Sequence, residues 1–307
     1  MKDDSGPNRP TDLTDKVRAS DLPLSDKTPA AMAFIVGVDG PSYRPVGACM
    51  VLDGDGGWRG SLSSGCIDRD IGHHAAEVAR SGQSRLLRYG AGSPFRDLEL
   101  PCGGGLDIRI LPAPSLDIVA RLAADMAARR PLRLWIGKEL RLIAGEKGAL
   151  ELSVLPDPRF AVFGKGPEAL AFARMTSGAG YDTTLASPDP ETLAGVGAGA
   201  VTVRLGGAAS LKLVPVDAYT AGVVFFHDHD DEPAILRQLL AGPAFYIGAQ
   251  GSRRAAAHRL EVLRGMGVSE HQLARLRGPI GLIPSTRDPR TLAASVLAEV
   301  LAEASKQ

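Results

Sequence analysis

Phe160-Ala161-Val162-Phe163-Gly164-Lys165-Gly166-Pro167-Glu168-Ala169 is the stretch that decides the architecture of the second half of the chain. Four apolar residues run into two glycines one residue apart, and a proline then stands where a helix would begin. The pattern predicts a buried strand passing through a tight turn into a helix, in the G-x-G-x-x-A form of a dinucleotide-binding turn, with Ala169 at the third small position. Glycines in such a turn let backbone N–H groups and the helix N-terminus approach a phosphate. The same residues also fit a turn that only packs strand against helix, because Pro167 removes one donor and Glu168 adds a negative charge to the first helical turn. Outward from this unit, further apolar segments at 181–186, 222–226 and 244–247 are each followed by a helical pattern. Strand and helix in alternation imply an α/β unit with a parallel sheet and helices on both faces. Asp189, after the second of these strands, is the nearest candidate to hold a ribose. The last helix begins with Asp288 as cap and Pro289 at its first position, and its apolar face carries Leu292, Val296, Leu297, Val300 and Leu301.

Toward the N-terminus the periodicity changes. Residues 32–38 and 46–52 are apolar or β-branched and read as two strands joined by Asp39-Gly40-Pro41-Ser42-Tyr43-Arg44-Pro45. Ile67, Ile71, Ala75 and Val78 recur at helical spacing, with Ser63 or Ser64 placed to cap and Gly82 placed to terminate a helix of about four turns. Strands at 85–89 and 106–111 follow, which makes residues 31–114 an α+β domain. Residues 115–158 read as a connecting helix and a small β-segment that bridge to a Rossmann-like domain over 159–307. Residues 1–30 hold charge, Pro, Ser and Thr without an apolar run, and are expected to be a disordered tail that is neither signal peptide nor membrane span. There is no internal repeat.

Whole-chain composition excludes some partners. The 307 residues carry 35 Lys and Arg against 35 Asp and Glu, a formal net charge of zero, so no global field draws the chain to nucleic acid or an anionic membrane. Three cysteines, at positions 49, 66 and 102, do not form the disulfide framework of a small secreted domain and suggest reduced thiols in the cytoplasm.

The residues that could carry chemistry lie in loops. Cys66 follows Ser63, Ser64 and Gly65 at the start of a helix, where the dipole and unpaired N–H groups favour a thiolate. Cys102 precedes Gly103, Gly104 and Gly105, which allow close approach by a ligand or a neighbouring strand. With Arg44, the two loops would offer thiol, backbone donors and a guanidinium to a sulfur-rich, phosphate-bearing cofactor. The bland alternatives are a buried small residue at a helix start and an incidental cysteine in a turn. Cys49, inside an apolar strand, belongs to the core. A third glycine turn, Gly248-Ala249-Gln250-Gly251-Ser252-Arg253-Arg254, again leads strand into helix with Ser252 as cap. Two arginines there oppose the helix dipole, which points to an anion or an acidic partner, with a surface salt bridge as the alternative. His227-Asp228-His229-Asp230-Asp231-Glu232 is dense in metal-ligand types, but reads better as an acidic helix start with Pro233 behind it. His73 and His74 are expected on the surface.

Taken in order, PSYRPVGACMVL (41–52), SLSSGCIDRDI (61–71), LRYG (87–90), LPCGGGLDI (100–108), VFGKGPEA (162–169), HDHDDEPAILRQLL (227–240), PAFYIGAQGSRRAAAHRLEVLR (243–264), GPIGL (278–282) and SVLAEVLAE (295–303) resemble the XdhC/CoxI family. These are accessory proteins of xanthine dehydrogenase and carbon monoxide dehydrogenase. The resemblance implies an N-terminal XdhC/CoxI domain, a C-terminal Rossmann-like domain, and a chaperone that binds molybdenum cofactor (molybdopterin), supports its sulfuration and delivers it to an apo molybdenum hydroxylase. It places Cys66 and Cys102 at the family's two cysteine positions. On this reading the cofactor would meet Arg44, Ser63, Ser64, Gly65, Cys66, Cys102, Gly103 and Gly104. A nucleotide or phosphate would meet Gly164, Gly166, Ala169, Asp189, Gly248, Gly251, Ser252, Arg253 and Arg254. A cysteine desulfurase and a second copy of the chain in a homodimer are the further expected partners. The competing function is an NAD(P)-dependent oxidoreductase built on the Rossmann half, with His227 or His229 as proton donor.

Overall fold

The structure, a computed structural model, describes residues 15–25, 27–63, 65, 67–93, 103–143, 145, 147–226 and 231–307. The chain divides into two compact units, Met1–Asp157 and Pro158–Gln307.

The first unit contains β1 (Asp15–Arg18), β2 (Pro29–Asp39), β3 (Cys49–Asp53), β4 (Trp58–Gly60), α1 (Asp68–Ser81), β5 (Arg85–Gly90), β6 (Gly105–Pro112), α2 (Leu116–Ala127), β7 (Leu132–Ile136), β8 (Leu140–Arg141) and β9 (Leu150–Leu155). A five-stranded antiparallel sheet runs β4-β3-β2-β6-β5, and a four-stranded sheet runs β1-β9-β7-β8. β2 is apolar almost throughout because both of its faces are covered. Ala31, Ala33 and Ile35 pack with Ile67, Ile71, Ala75 and Val78 of the α1 segment. Met32 and Phe34 pack on the other side with Leu122 of α2 and with Leu134, Leu152 and Val154 of the smaller sheet. The layers are therefore helix, sheet, and a second sheet with its helix.

Two expectations are corrected here. Residues 15–18 are not tail: β1 lies parallel to β9, with Val17 opposite Val154 and buried. Four residues with a single buried apolar side chain leave no periodic signal to read. Residues 115–157 are not a bridge between halves, because α2 and β7 to β9 form the second sheet layer of the first unit. α1 ends as expected at Gly82, whose φ of 68° closes it in a left-handed cap. Its N-cap is Ile67, with no side-chain cap, so neither serine takes that place.

The second unit contains β10 (Arg159–Gly164), α3 (Pro167–Gly178), β11 (Thr183–Ser187), α4 (Pro190–Gly195), β12 (Val201–Arg204), α5 (Ala208–Leu211), β13 (Thr220–Phe225), α6 (Glu232–Ala241), β14 (Tyr246–Ala249), α7 (Arg253–Gly265), α8 (Glu270–Leu273), β15 (Leu276–Arg277) and α9 (Pro289–Ala304). Six parallel strands lie in the order β12-β11-β10-β13-β14-β15, which is the 3-2-1-4-5-6 order of a doubly wound Rossmann sheet. α9 begins as read from the sequence: the Asp288 carboxylate accepts the Thr291 N–H at 3.0 Å and Pro289 opens the helix. Leu292, Val296 and Val300 enter the core against Phe160, Phe172 and Phe225. The chain order reverses between β10 and β13, and a doubly wound fold forms its crevice at that point.

Candidate functional site

Strand direction sends three loops toward one end of the five-stranded sheet. Asp39, the last residue of β2, pairs with Gly105, the first of β6, and Gly90 at the end of β5 pairs with the same Gly105. Gly60, at the end of β4, pairs with Met50 near the start of β3. The connections 40–48, 61–67 and 91–104 therefore run toward the same end of the sheet, with Gly60 and Met50 level with Ala33, six residues before Asp39 on β2, and they carry Arg44, Ser63, Gly65, Gly103 and Gly104. Ser64, Cys66 and Cys102 lie outside the described residues, although each is joined in the chain to a residue of this group.

The 61–67 loop is held from within. The Asp68 carboxylate accepts from the N–H groups of Leu62 at 3.0 Å, Ser63 at 3.1 Å and Gly65 at 3.1 Å, and from the hydroxyls of Ser61 and Ser63. The Ser63 hydroxyl oxygen accepts the Ile67 N–H at 2.9 Å. The donors expected to face a ligand are thus turned inward. Gly65 has a φ of 100°, and a Cβ there would meet nothing within 4 Å, so its open face is presented away from the packing. The first turn of α1 carries Asp68 and Asp70, which offset the positive end of the helix dipole expected to act on Cys66.

Arg44 is half-buried. Its Nη2 donates to Asp21 at 3.0 Å, Ser42 Oγ accepts its N–H at 3.3 Å, and its Nε is buried without a partner. Gly104 is a packing glycine, since a Cβ there would run into the Pro41 carbonyl oxygen, and it seats its loop on the Arg44 loop. Gly103 has open space beside it. Cys49 is fully buried in the core as expected, and burial pushes its thiol far up. His73 is exposed; His74 lies in a surface network with Asp70, Glu77 and Arg85.

In the second unit the motif turn is spent on the fold. Lys165 donates its N–H to the Phe225 carbonyl at 3.3 Å, Gly166 donates its N–H to Thr192 Oγ1 at 2.9 Å, and Pro167 has none to give. Gly164 is there for clearance, because a Cβ would run into the Phe225 carbonyl oxygen and lie 3.0 Å from the Ala169 side chain. Asp189 caps α4: its Oδ2 accepts the Thr192 N–H at 2.8 Å and the Thr192 hydroxyl, and its Oδ1 accepts the Glu191 N–H at 3.4 Å. That hydroxyl, the first cause, holds the Asp189 carboxyl below the usual carboxylate range. The described donors of Lys165 and Gly166 thus serve packing contacts.

Gly248 likewise avoids Tyr246 and Ile280. Ser252 caps α7 as expected, accepting the Ala255 N–H at 3.2 Å. Arg253 and Arg254 are exposed, and no carboxylate among the described residues pairs with either. His227 to Asp230 lie outside the described residues. Glu232 is no exposed helix start: its carboxylate sits 2.6 Å from the Arg259 Nε with both side chains buried, and Arg259 also donates to the Gln250 carbonyl at 2.7 Å. Among the described residues there is no group of three metal-ligating side chains, and no helix is long and apolar enough to cross a membrane.

Sequence reasoning missed Asp68, Thr192 and the Glu232–Arg259 pair. Arg259 was the readable one, four residues before buried Leu263 on the inward stripe of α7. Thr192 had no signal, because its bond to Gly166 joins residues 26 apart.

A layered α+β unit with three loops running toward one sheet end, followed by a doubly wound unit whose Gly166 N–H is taken by Thr192, defines a two-part protein with a Rossmann-type second half. Likeness to known proteins narrows the class. Residues 24–90 match the XdhC and CoxI family and residues 160–300 match the XdhC Rossmann domain. Over 280 residues, 88% of this chain and 82% of the relative, the sequence is 30% identical to the molybdenum cofactor insertion chaperone PaoD of Escherichia coli strain K12. It is 23% identical to a protein of Bacillus subtilis strain 168 described as a probable xanthine dehydrogenase component, over 92% of this chain and 95% of that one. A crystal structure described as a xanthine dehydrogenase from Bacillus halodurans superposes with a TM-score of 0.74 at 21% identity, covering 92% of this chain and 94% of that chain, which shows the shared fold. The chain belongs to the XdhC and CoxI family.

Proposed function

We propose that this protein is a chaperone that takes up molybdenum cofactor, supports its sulfuration and inserts it into an apo molybdenum hydroxylase of the xanthine dehydrogenase type. The observation that carries this reading is the likeness to the insertion chaperone PaoD, which runs through both units and not through the Rossmann part alone. Strand direction supports a place for the cargo toward the end of the five-stranded sheet to which the loops carrying Arg44, Ser63, Gly65, Gly103 and Gly104 run, with Ser64, Cys66 and Cys102 next to these residues in the chain. The fit is chemical as well: a guanidinium with an unpartnered buried Nε suits a phosphate, and open glycine faces at 65 and 103 leave room beside the two thiol positions. In this reading the Cys66 and Cys102 thiols hold the cargo, a cysteine desulfurase supplies sulfur, and the exposed Arg253 and Arg254 meet an acidic face of the apo-hydroxylase, two copies of the chain working as a dimer. The NAD(P)-dependent oxidoreductase alternative is weakened by the spent donors at Lys165 and Gly166 and by the capping role of Asp189.

The experiment is cofactor capture and handover. Cys66→Ser or Cys102→Ser is expected to lower retention of molybdenum cofactor at least tenfold with a cooperative melt. Arg253→Ala with Arg254→Ala is expected to spare both capture and melting temperature while lowering activation of apo-hydroxylase. Wild-type retention in both cysteine variants would remove the thiols from the site. Absence of any cofactor binding by the wild-type chain would overturn the chaperone reading.

A further inference from the structure

Asp68 is neither thiol, guanidinium nor glycine, and no feature of the cargo reading calls for it. It is 7% exposed, and five donors from the seven residues before it converge on its two oxygens. Oδ1 accepts from the Leu62 and Ser63 N–H groups and the Ser63 hydroxyl; Oδ2 accepts from the Ser61 hydroxyl and the Gly65 N–H. A carboxylate has about four lone-pair sites, so this one is committed in full to its own loop and has nothing left for a ligand. Gly65 is anchored to Asp68, and Ile67 is anchored to Ser63 Oγ, which is itself bonded to Asp68, so both chain neighbours of position 66 are tied to this carboxylate.

We propose that Asp68 is the positioning residue of the cofactor loop, holding residues 61–67 in the shape that capture requires without touching the cargo itself. This rests on the chaperone reading given above. Asparagine at position 68 keeps the size but offers one acceptor oxygen, so at least two of the five donors lose their partner. Glutamate keeps both oxygens one methylene further out.

Full-length wild type, Asp68→Asn and Asp68→Glu are compared in two measurements. The first is amide hydrogen exchange of the 61–67 segment against the 72–81 part of α1, and the second is titration with molybdenum cofactor released from a molybdenum hydroxylase. In Asp68→Asn, exchange at 61–67 is expected to speed up at least thirtyfold while 72–81 and the melting transition stay close to wild type. The cofactor Kd is expected to rise tenfold or more, with Asp68→Glu nearer wild type in both measurements. Wild-type protection at 61–67 in Asp68→Asn, or fast exchange with unchanged Kd, would overturn the positioning role. If the wild type itself fails to bind cofactor while the exchange result holds, the chaperone reading falls and the anchoring of the loop by Asp68 stands.

Discussion

The loop at 61–67 and the turn at 164–168 share a device, since each uses glycine before a helix and in each a hydroxyl that takes a backbone N–H is itself held by an acid of the same unit. In the first, Asp68 and Ser63 gather the N–H groups; in the second, Thr192 takes the Gly166 N–H and Asp189 takes the Thr192 hydroxyl. What differs is the set of side chains that the sequence supplies. The 61–67 segment carries Cys66 and the neighbouring connections carry Arg44 and Cys102, whereas the 164–168 turn carries Lys165, Pro167 and Glu168, with no thiol and one acid at a helix start. Inward-turned donors build the loop, and the side chains decide whether it can hold a cargo.

Each region has one glycine present for clearance, Gly104 and Gly164, and these give the largest stability effects. A Cβ at either would collide with a backbone carbonyl oxygen, Pro41 in one unit and Phe225 in the other. Gly104→Ala and Gly164→Ala are each expected to cost about 1–3 kcal/mol in denaturant unfolding. Only Gly104→Ala should also weaken cofactor capture, because it unseats the loop next to Arg44. Capture lost equally in both variants would erase the distinction between the regions.

Thr192→Val probes the closed turn at smaller scale. It is expected to cost about 1 kcal/mol by leaving the Gly166 N–H without its acceptor, and to create no affinity for NAD, NADP or AMP in calorimetric titration. Gained affinity would mean that the latch, not the motif, had hidden a nucleotide site. The same variant has a pH signature. Because the Thr192 hydroxyl holds the Asp189 carboxyl below its ordinary range, the stability this cap adds is present at neutral pH and is lost as pH falls through the lowered folded value. Thr192→Val should flatten that acid-side loss.

The Rossmann half was legible from the sequence because its strands are continuous apolar runs separated by helical patterns, and the 160–169 stretch names its own strand, turn and helix. Less of the first unit could be read. β1 holds a single buried apolar residue, and the four-stranded sheet becomes visible only when Val17 meets Leu152 and Val154 far along the chain. The loops of the candidate site were legible by composition, since cysteine beside glycine outside any periodic pattern stands out. Which glycines serve packing and which leave space was not legible, because Gly104 and Gly164 answer to carbonyl oxygens remote in sequence. Asp68 was hidden for the opposite reason: its partners are adjacent, but an acid in the first turn of a helix is so ordinary that the pattern gives no hint of five donors.

Gly65 and Gly166 form an instructive pair for the account as a whole. Both have positive φ, 100° and 84°, and neither has an atom closer than 3.9 Å to where a Cβ would be. Alanine at either position carries backbone strain, and at Gly166, whose ψ is −166°, the conformation is one that only glycine adopts readily. Titration of molybdenum cofactor into the two full-length variants tests most directly whether the cargo is held at the end of the five-stranded sheet. The expected result is a Kd raised tenfold or more in Gly65→Ala and changed less than twofold in Gly166→Ala, each titrated below its own melting transition. A Kd raised in Gly166→Ala and unchanged in Gly65→Ala would contradict the account.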